Sequence, residues 1–203
     1  MQVSGAAAVK PKRIVFAGVG AIGSSSAMLC RNLDARLVFI DFDRVESKNL
    51  ASQAYVKPSV GKNKADALKL QLLNFHSVQT EAFGVRLGPD NVRTLLEGAD
   101  LVVDAFDNAK SREVLSEHAR QANLALVHAG VSGDGTFGMV RWDERFKPDA
   151  EDHEGQATCE GGAHLPLLGL LSSTLARIIQ EHLSSGEKHD ALVTLRGVEW
   201  PGA

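Results

Sequence analysis

Several residue types are scarce in this chain of 203 residues, and each scarcity excludes a class of protein. The two cysteines are too few for a disulfide framework or a four-cysteine zinc site, so we expect a reducing compartment and no zinc. Aromatic residues make up 5%, and a net charge of −3 offers no basic surface for nucleic acid. No apolar run approaches the ~20 residues of a membrane span, and the N-terminus does not look like a signal sequence. We therefore expect a cytoplasmic protein that binds neither nucleic acid nor a membrane.

What the sequence does contain is an alternation of short apolar runs with helix-length segments. The apolar runs predict buried parallel strands at residues 13–17, 36–40, 78–83, 101–105 and 125–129. The segments between them predict helices at residues 24–33, 62–73, 91–97 and 110–122. This pattern indicates a doubly wound, mostly parallel α/β sheet with helices on both faces, in a single domain over residues 1–203.

The pattern changes after residue 130. Residues 135–142 alternate apolar and polar side chains and predict a strand that pairs antiparallel. Residues 145–162 are polar and contain Pro148 and three glycines, so we expect a flexible crossover loop there. A closing helix at residues 165–182 and an edge strand at residues 191–195 complete the predicted C-terminal additions.

A glycine-rich turn separates the first predicted strand from the first helix. Gly18, Gly20 and Gly23 follow the G-x-G-x-x-G spacing, and Asp41 ends the second strand about 20 residues later. Gly18 permits the tight turn, Gly20 lets a phosphate approach the backbone, and Gly23 removes a side chain where helix and strand meet. The helix start offers unpaired N–H groups and the positive end of the helix dipole. The turn therefore predicts a nucleotide site, in which Asp41 can hold ribose hydroxyls.

Three further segments indicate which nucleotide is bound. They are DFDRVESKNLASQ at residues 41–53, GKNKA at 61–65, and DAFDN at 104–108 followed by Ser111-Arg112. In order and spacing they resemble the D-x-D-x-V-x-x-x-N-L-x-R-Q, G-x-x-K-A and D-x-x-D-N-x-x-x-R segments of the ThiF/MoeB superfamily. Members of that superfamily use ATP to adenylate the C-terminal carboxylate of ubiquitin-like and sulfur-carrier proteins. The resemblance extends over roughly residues 13–185.

The resemblance implies a Rossmann-like adenylation domain that uses ATP and Mg²⁺. Its partner would be a small ubiquitin-like or sulfur-carrier protein, or a peptide C-terminus, and the enzyme would be a homodimer. It also implies a set of nucleotide-binding residues, namely Gly18, Gly20, Gly23, Asp41, Asp43, Asn49, Gln53, Lys64, Asp107 and Asn108.

Within this set the resemblance also implies individual roles. Asn49 and Lys64 would contact the phosphates. Asp107 would bind Mg²⁺, with Asn108 orienting its carboxylate, because a hard oxygen ligand suits that ion. Asp107, Lys64 and Asn49 are therefore the candidate catalytic residues.

Some of these residues have a simpler structural alternative. Lys64 would form a solvated helix face together with Lys62 and Lys69. Asp107 and Asn108 would cap the helix that follows them. Asp41 would be a turn residue at the end of its strand.

The chain departs from the superfamily pattern where an arginine is expected. Ser52 occupies the arginine position of N-L-x-R-Q, and we expect no N-terminal helix to supply a second arginine. Each lost charge-assisted bond to phosphate forfeits on the order of 1.5–3 kcal/mol. The cations that could compensate are Arg44, Lys48, Lys62 and Arg112, and the sequence does not rank them.

Cys159 is a candidate acceptor for the activated carboxylate. It precedes the closing helix and His164, near the position where some superfamily members place such a cysteine. The alternative is a loop cysteine without special reactivity, since Glu160 opposes thiolate formation.

Cys30 lies on an apolar helix face and is predicted to be core. The side chains of Tyr55, Trp142 and Trp200 are predicted to serve packing.

Three functions are consistent with these observations. The first is ATP-dependent adenylation of a carrier carboxylate. The second is a catalytically weakened relative that binds nucleotide as a scaffold or regulatory subunit, which Ser52 favours. The third and weakest is an NAD-dependent oxidoreductase, which accounts for the glycines and Asp41 but not for Asn49, Lys64 or Asp107.

Overall fold

One sheet of eight strands organises residues 10–146 and 164–201, the part of the chain that the computed structural model describes. The strands are β1 (Lys12–Ala17), β2 (Ala35–Ile40), β3 (Glu81–Phe83), β4 (Leu101–Asp104), β5 (Leu126–Val131), β6 (Phe137–Trp142), β7 (Ala191–Thr194) and β8 (Gly197–Glu199). The helices are α1 (Ala21–Leu29), α2 (Lys64–His76), α3 (Val92–Leu95), α4 (Ala109–Ala122) and α5 (Leu165–Ser185). Short 3-10 helices cover Ser47–Ala51, Lys57–Ser59 and Asp143–Arg145.

The strand order is β3-β2-β1-β4-β5-β6-β7-β8. Neighbouring strands from β3 to β5 pair in parallel, and β6, β7 and β8 add antiparallel pairs. The chain moves outward from β1 to β3 and then returns to the other side of β1 with β4, so the strand order reverses there. Ligands of doubly wound folds bind at such a reversal, at the carboxyl ends of the strands. The predicted fold class is confirmed, and the ends of β1, β2 and β4 mark the edge where a site is expected.

Helices cover both faces of the parallel part of the sheet. Ile14 and Phe16 of β1 pack in a core with residues of α1, α2 and α5. Val15 and Ala17 point to the other face and pack with residues of α3 and α4. Strands buried on both faces are apolar at every position, which explains the continuous apolar runs of the sequence. Among the described helices, none combines the length and apolarity that a membrane crossing requires.

Several boundaries differ from the prediction for local reasons. Helix α1 begins at Ala21, three residues earlier than expected, because the glycine-rich turn leads directly into the helix with Gly20 as its N-cap. Strand β3 has three residues instead of six, because the segment before it ends α2. There Ser77 adopts a φ of 56°, and the Val78 amide bonds to the carbonyl of Leu72.

The expected edge strand is not at the edge. β7 pairs with β6 on one side and with β8 on the other, so the sheet ends at β8. β8 has three residues that are exposed or half-buried. A strand this short has no apolar alternation, and for that reason it was not predicted.

Candidate functional site

The glycine turn, residues 18–23, joins β1 to α1 at the carboxyl edge of the sheet. Gly18 has a φ of 86°, and a Cβ there would lie 2.9 Å from the carbonyl of Ala105. At Gly23 a Cβ would lie 2.0 Å from the Gly18 carbonyl oxygen. At Gly20 a Cβ would meet no heavy atom within 4 Å. The protein's own packing therefore requires glycine at Gly18 and Gly23, whereas Gly20 borders open space.

The start of α1 is uncapped. Its N-cap is Gly20, and no side chain of the described residues bonds to the N–H groups of its first turn. These N–H groups have no acceptor within the helix, and the helix dipole adds positive charge at the same place. An uncapped helix start beside open space suits a phosphate group, so this part of the structure fits a nucleotide.

Asp41 links the glycine turn to the end of β2 through hydrogen bonds. Its Oδ2 accepts from the Val19 amide at 2.9 Å, and its Oδ1 accepts from the Asp43 amide at 2.9 Å. Burial raises the pKa of the Asp41 carboxyl, although the charge of Lys64 and the two amide bonds oppose that rise. Asp41 thus has the turn role that the sequence offered as an alternative. Its contact with ribose stays a prediction.

Lys64 is buried beside β2 and not on a solvated helix face. Its side chain is 10% exposed, and its Nζ lies 3.1 Å from Oδ2 of Asp43. Its amide also donates to the Asp43 carbonyl at 2.8 Å. Lys62, two residues earlier, is exposed. The alternative of a shared lysine face is therefore wrong for Lys64, which brings a cation to the carboxyl edge of the sheet.

Asn49 and Gln53 stand on the segment that follows β2. Asn49 is 5% exposed, and its Oδ1 accepts from the Glu46 amide at 2.8 Å, which caps the 3-10 helix Ser47–Ala51. The Oε1 of Gln53 is buried and has no hydrogen-bond partner among the described residues. A buried acceptor without a donor is costly, so it suits a bound group that brings one. Ser52, in the place of the expected arginine, is 8% exposed.

Tyr55 connects this segment to the glycine turn. Its hydroxyl donates to the Val19 carbonyl at 2.6 Å, and nearby the Ala54 amide donates to Oγ of Ser24 at 3.0 Å. Burial, followed by the charges of Asp41 and Asp43, raises the pKa of Tyr55 well above its ordinary value. Tyr55 does pack in the core as predicted, but its bond to the glycine turn was missed. No periodicity signals such a bond.

The turn after β4 places Asp107 next to the glycine turn. Ala105 and Phe106, which precede Asp107, are the residues that a Cβ on Gly18 would strike. Asp107 is exposed and has no hydrogen bond or ion pair with any described residue. Asn108 is the N-cap of α4, since its Oδ1 accepts from the Ser111 amide at 2.9 Å. The capping alternative is therefore confirmed for Asn108, whereas the Asp107 carboxylate stays available.

An available carboxylate beside a turn that suits phosphate fits Mg²⁺. This ion commonly binds through one or two carboxylates together with phosphate oxygens and water. Within residues 10–146 and 164–201 no group of three potential metal ligands is formed by His, Cys, Asp or Glu side chains. Asp107 would therefore share the cation with the nucleotide and not hold it in an all-protein cage.

The cations proposed to replace the missing arginine differ in their contacts. Arg112 donates to the carbonyls of Phe106 and Ala129, each at 2.8 Å, so its guanidinium is engaged within the protein. Arg44 donates to the Gly61 carbonyl at 2.7 Å and is exposed. Lys48 lies 3.6 Å from Glu46 and Lys62 is exposed. Arg112 is thereby the least suited of the four to contact a phosphate.

The two cysteines differ in what the structure says of them. Cys30 is fully buried, and burial raises the pKa of its thiol to about 12, so it is an unreactive core residue as predicted. Trp142 is fully buried too, which confirms its predicted packing role.

Cys159 lies in residues 147–163, outside the described residues, as does most of the predicted crossover loop. Arg145, expected in that loop, ends a 3-10 helix and pairs with Asp190 at 2.6 Å.

These features define a doubly wound α/β domain with a glycine turn and an adjacent carboxylate. The chain belongs to the ThiF family, whose model matches residues 1–186. One curated relative is the adenylyltransferase and sulfurtransferase UBA4 of Meyerozyma guilliermondii, 28% identical over 179 residues, or 83% of this chain and 42% of the relative. Another is the SAMP-activating enzyme E1 of Haloferax volcanii, 30% identical over 122 residues, or 59% of this chain and 45% of the relative. The chain spans less than half of either relative.

Solved structures share the fold. The crystal structure of E. coli MccB with ATP has a TM-score of 0.75 and 17% identity, and the match covers 93% of this chain and 63% of MccB. E. coli tRNA N6-threonylcarbamoyladenosine dehydratase, TcdA, in complex with ATP has a TM-score of 0.57 and 23% identity, covering 64% of this chain and 57% of TcdA. At these identities the likeness shows the fold alone.

Proposed function

We propose that this chain binds ATP with Mg²⁺ and adenylates the C-terminal carboxylate of a small ubiquitin-like or sulfur-carrier protein or peptide, releasing pyrophosphate. The observation that carries the proposal is the uncapped start of α1 beside open space at Gly20. Buried Lys64 follows β2 and available Asp107 follows β4, the two strands that flank β1, at the same edge of the sheet. The names of the curated relatives support the same reaction.

Each site residue has a role in this proposal. The N–H groups of the glycine turn bind phosphate, and Asp41 uses its remaining lone pairs for ribose hydroxyls. Lys64 and Asn49 contact the phosphates. The positive charge of Lys64 stabilises the negative charge that develops on the α-phosphate. Asp43 pairs with Lys64, Asn108 caps the helix that follows Asp107, and the buried Oε1 of Gln53 accepts a hydrogen bond from the nucleotide. A bound Mg²⁺ on Asp107 would neutralise phosphate charge.

A nucleotide-binding relative with weakened catalysis is the second candidate. It is favoured by Ser52, which cannot supply the expected cation, and by Arg112, which is engaged with two backbone carbonyls. A nicotinamide-dependent oxidoreductase is not favoured, because it leaves the Asp43–Lys64 pair and the Asp107 carboxylate without a role.

ATP–pyrophosphate exchange distinguishes these candidates. The exchange is measured with a panel of carrier proteins and peptides with free C-termini, and ATP and NAD binding are measured by calorimetry with and without Mg²⁺. Exchange with one carrier class supports adenylation. ATP binding without exchange for any partner supports the weakened relative. Absence of ATP binding, or tighter binding of NAD, would overturn the proposal.

The fate of the adenylate and the assembly state follow from the same proposal. If Cys159 accepts the activated carrier, Cys159→Ser keeps the exchange reaction and loses the thioester seen on non-reducing gels. Loss of exchange in this variant would contradict a role limited to acceptance. A homodimer is expected by analogy with this family, and light scattering of the active protein tests it.

A further inference from the structure

A buried histidine lies between two carboxylates behind the proposed metal site. His128 of β5 is 1% exposed; its Nδ1 is 2.7 Å from Oδ2 of Asp104, and its Nε2 is 3.1 Å from Oδ1 of Asp143. The Phe146 ring stacks on the imidazole at a centroid distance of 3.8 Å. Carboxylate oxygens only accept, so the bond to Asp104 requires the hydrogen on Nδ1. The position of the imidazole is therefore fixed on both edges and on one face.

Asp104 connects His128 to the turn after β4 through hydrogen bonds. It is fully buried at the end of β4, and its second oxygen, Oδ1, accepts from the Phe106 amide at 3.0 Å. The Phe106 carbonyl in turn accepts from Nε of Arg112 at 2.8 Å. Both polar groups of the Phe106 backbone are thus held from inside the protein, directly before Asp107.

Without His128 the Asp104 carboxylate would lose its nearest partner. Among the described residues, its Oδ2 would keep only Arg112, whose Nε lies 3.6 Å away. A buried carboxylate with an unsatisfied oxygen is costly, so it would reorient, and the bond to the Phe106 amide would weaken. Because Phe106 directly precedes Asp107, the shift would reach the proposed Mg²⁺ ligand.

We propose that His128 is a positioning residue for the Mg²⁺–nucleotide site: through Asp104 it holds Phe106, so that Asp107 is presented beside the glycine turn. This inference rests on the proposed function. Asp143 keeps the imidazole in place from the other side, where it also pairs with Nε of Arg120 at 2.7 Å. The carboxylates of Asp104 and Asp143, the guanidinium groups of Arg112 and Arg120 and the Ser116 hydroxyl are the polar groups of this cluster.

Two isosteric variants test the two nitrogen atoms of the imidazole separately. The amide nitrogen of His128→Asn takes the place of Nδ1 and keeps a donor for Asp104. The amide nitrogen of His128→Gln takes the place of Nε2 and keeps a donor for Asp143. His128→Leu removes both ring nitrogens. Ser116→Ala is the matched control, since its hydroxyl lies 3.5 Å from Nε2 and does not face Asp104.

The first readout is calorimetric affinity for ATP with Mg²⁺ and with EDTA. The Gln and Leu variants are expected to lose roughly 10-fold in affinity for MgATP, as for groups that orient a metal ligand, while the Asn and Ser116→Ala variants stay within about threefold. Affinity for ATP in EDTA is expected to be equal in all four. Equal losses for Asn and Gln, or no loss for Leu, would overturn the inference.

The second readout needs no nucleotide. Hydrogen exchange of the Phe106 amide, followed by NMR in the ligand-free protein, is expected to speed up in the Gln variant and to stay near wild type in the Asn variant. Equal exchange rates in these two variants would overturn the role of His128. If the Leu variant does not fold, the Asn–Gln comparison alone decides. Wild-type protein that binds no MgATP refutes the proposed function, whereas normal wild-type binding without an Asn–Gln difference refutes this inference only.

Discussion

The Tyr55 hydroxyl donates a hydrogen bond of 2.6 Å to the carbonyl oxygen of Val19, the second residue of the glycine turn. The same hydroxyl lies 3.3 Å from the Lys64 carbonyl oxygen. One side chain therefore joins the glycine turn to the helix start that carries Lys64. The two halves of the proposed site are held together by a residue that need not touch the ligand.

Replacing Tyr55 by Phe removes these bonds and keeps the ring. We expect the free energy of unfolding in urea to fall by about 1–2 kcal/mol, because the buried Val19 carbonyl loses its donor. We expect ATP affinity to fall by roughly threefold, as the turn becomes less ordered. Ser173→Ala is the control, since it removes an exposed hydroxyl that bonds within its own helix. A Tyr55→Phe variant as stable as this control would contradict the prediction.

Two alanine substitutions distinguish packing from ligand contact in the glycine turn. Gly23→Ala places a Cβ 2.0 Å from the Gly18 carbonyl oxygen, so we expect a loss of stability of about 3 kcal/mol or more. Gly20→Ala places its Cβ in open space, so we expect a cost of about 1 kcal/mol or less and a loss of nucleotide affinity. Thermal unfolding and ATP titration measure the two effects. Full ATP affinity in Gly20→Ala would show that phosphate binds elsewhere.

Lys64 and Lys62 form a matched pair for testing the phosphate contact. Lys64→Met removes a buried cation, so we expect ATP affinity to fall about 10- to 100-fold, as for the loss of one charge-assisted bond. Lys62→Met removes an exposed cation and is expected to change affinity by less than about twofold. Calorimetry with MgATP measures both affinities. Equal effects of the two substitutions would exclude the proposed role of Lys64.

Ser52→Arg tests whether a missing cation limits catalysis. We expect faster ATP–pyrophosphate exchange, by about 10-fold, because a guanidinium can donate two charged bonds to phosphate. Ser52→Gln is the control, since it adds a long polar side chain without the charge. Because Ser52 is 8% exposed, the stability of both variants is measured alongside. Equal rates for both variants would show that charge at this position does not limit the reaction.

Asp190 makes the C-terminal part of the sheet sensitive to acid. Burial alone would raise the pKa of its carboxyl, but bonds from Arg145 and from the Trp142 amide outweigh burial and hold the pKa below its usual value. A lowered pKa in the folded state means that the carboxylate stabilises the fold above about pH 4, and that this contribution disappears as the pH falls through the folded-state pKa. Asp190→Asn should therefore cost on the order of 1–2 kcal/mol at pH 7 and progressively less below pH 4. Urea unfolding from pH 7 to pH 3 measures the difference, with exposed Asp90→Asn as control. A difference that is constant across this range would contradict the prediction.

The sequence by itself determined the doubly wound sheet and the position of the glycine turn after the first strand. Strands covered on both faces must be apolar throughout, so residues 13–17 and 101–105 could be recognised from composition alone. The glycine spacing predicted the turn at Gly18 because backbone geometry is a local property. Ser52 could be recognised in place of the expected arginine for the same reason, because the position of a residue within a motif depends only on its order along the chain.

Only the tertiary structure decided how the charged residues are used. Lys64 looks in the sequence like its neighbour Lys62, and its burial beside Asp43 depends on how α2 packs against the end of β2. Arg112 was a candidate phosphate ligand until its contacts with the Phe106 and Ala129 carbonyls were seen. The contacts of His128 could not be predicted from the sequence, because its partners Asp104 and Asp143 are 24 and 15 residues away in the chain. Long-range hydrogen bonds between buried polar groups leave no periodic pattern in a sequence, so these roles are decided by the folded chain.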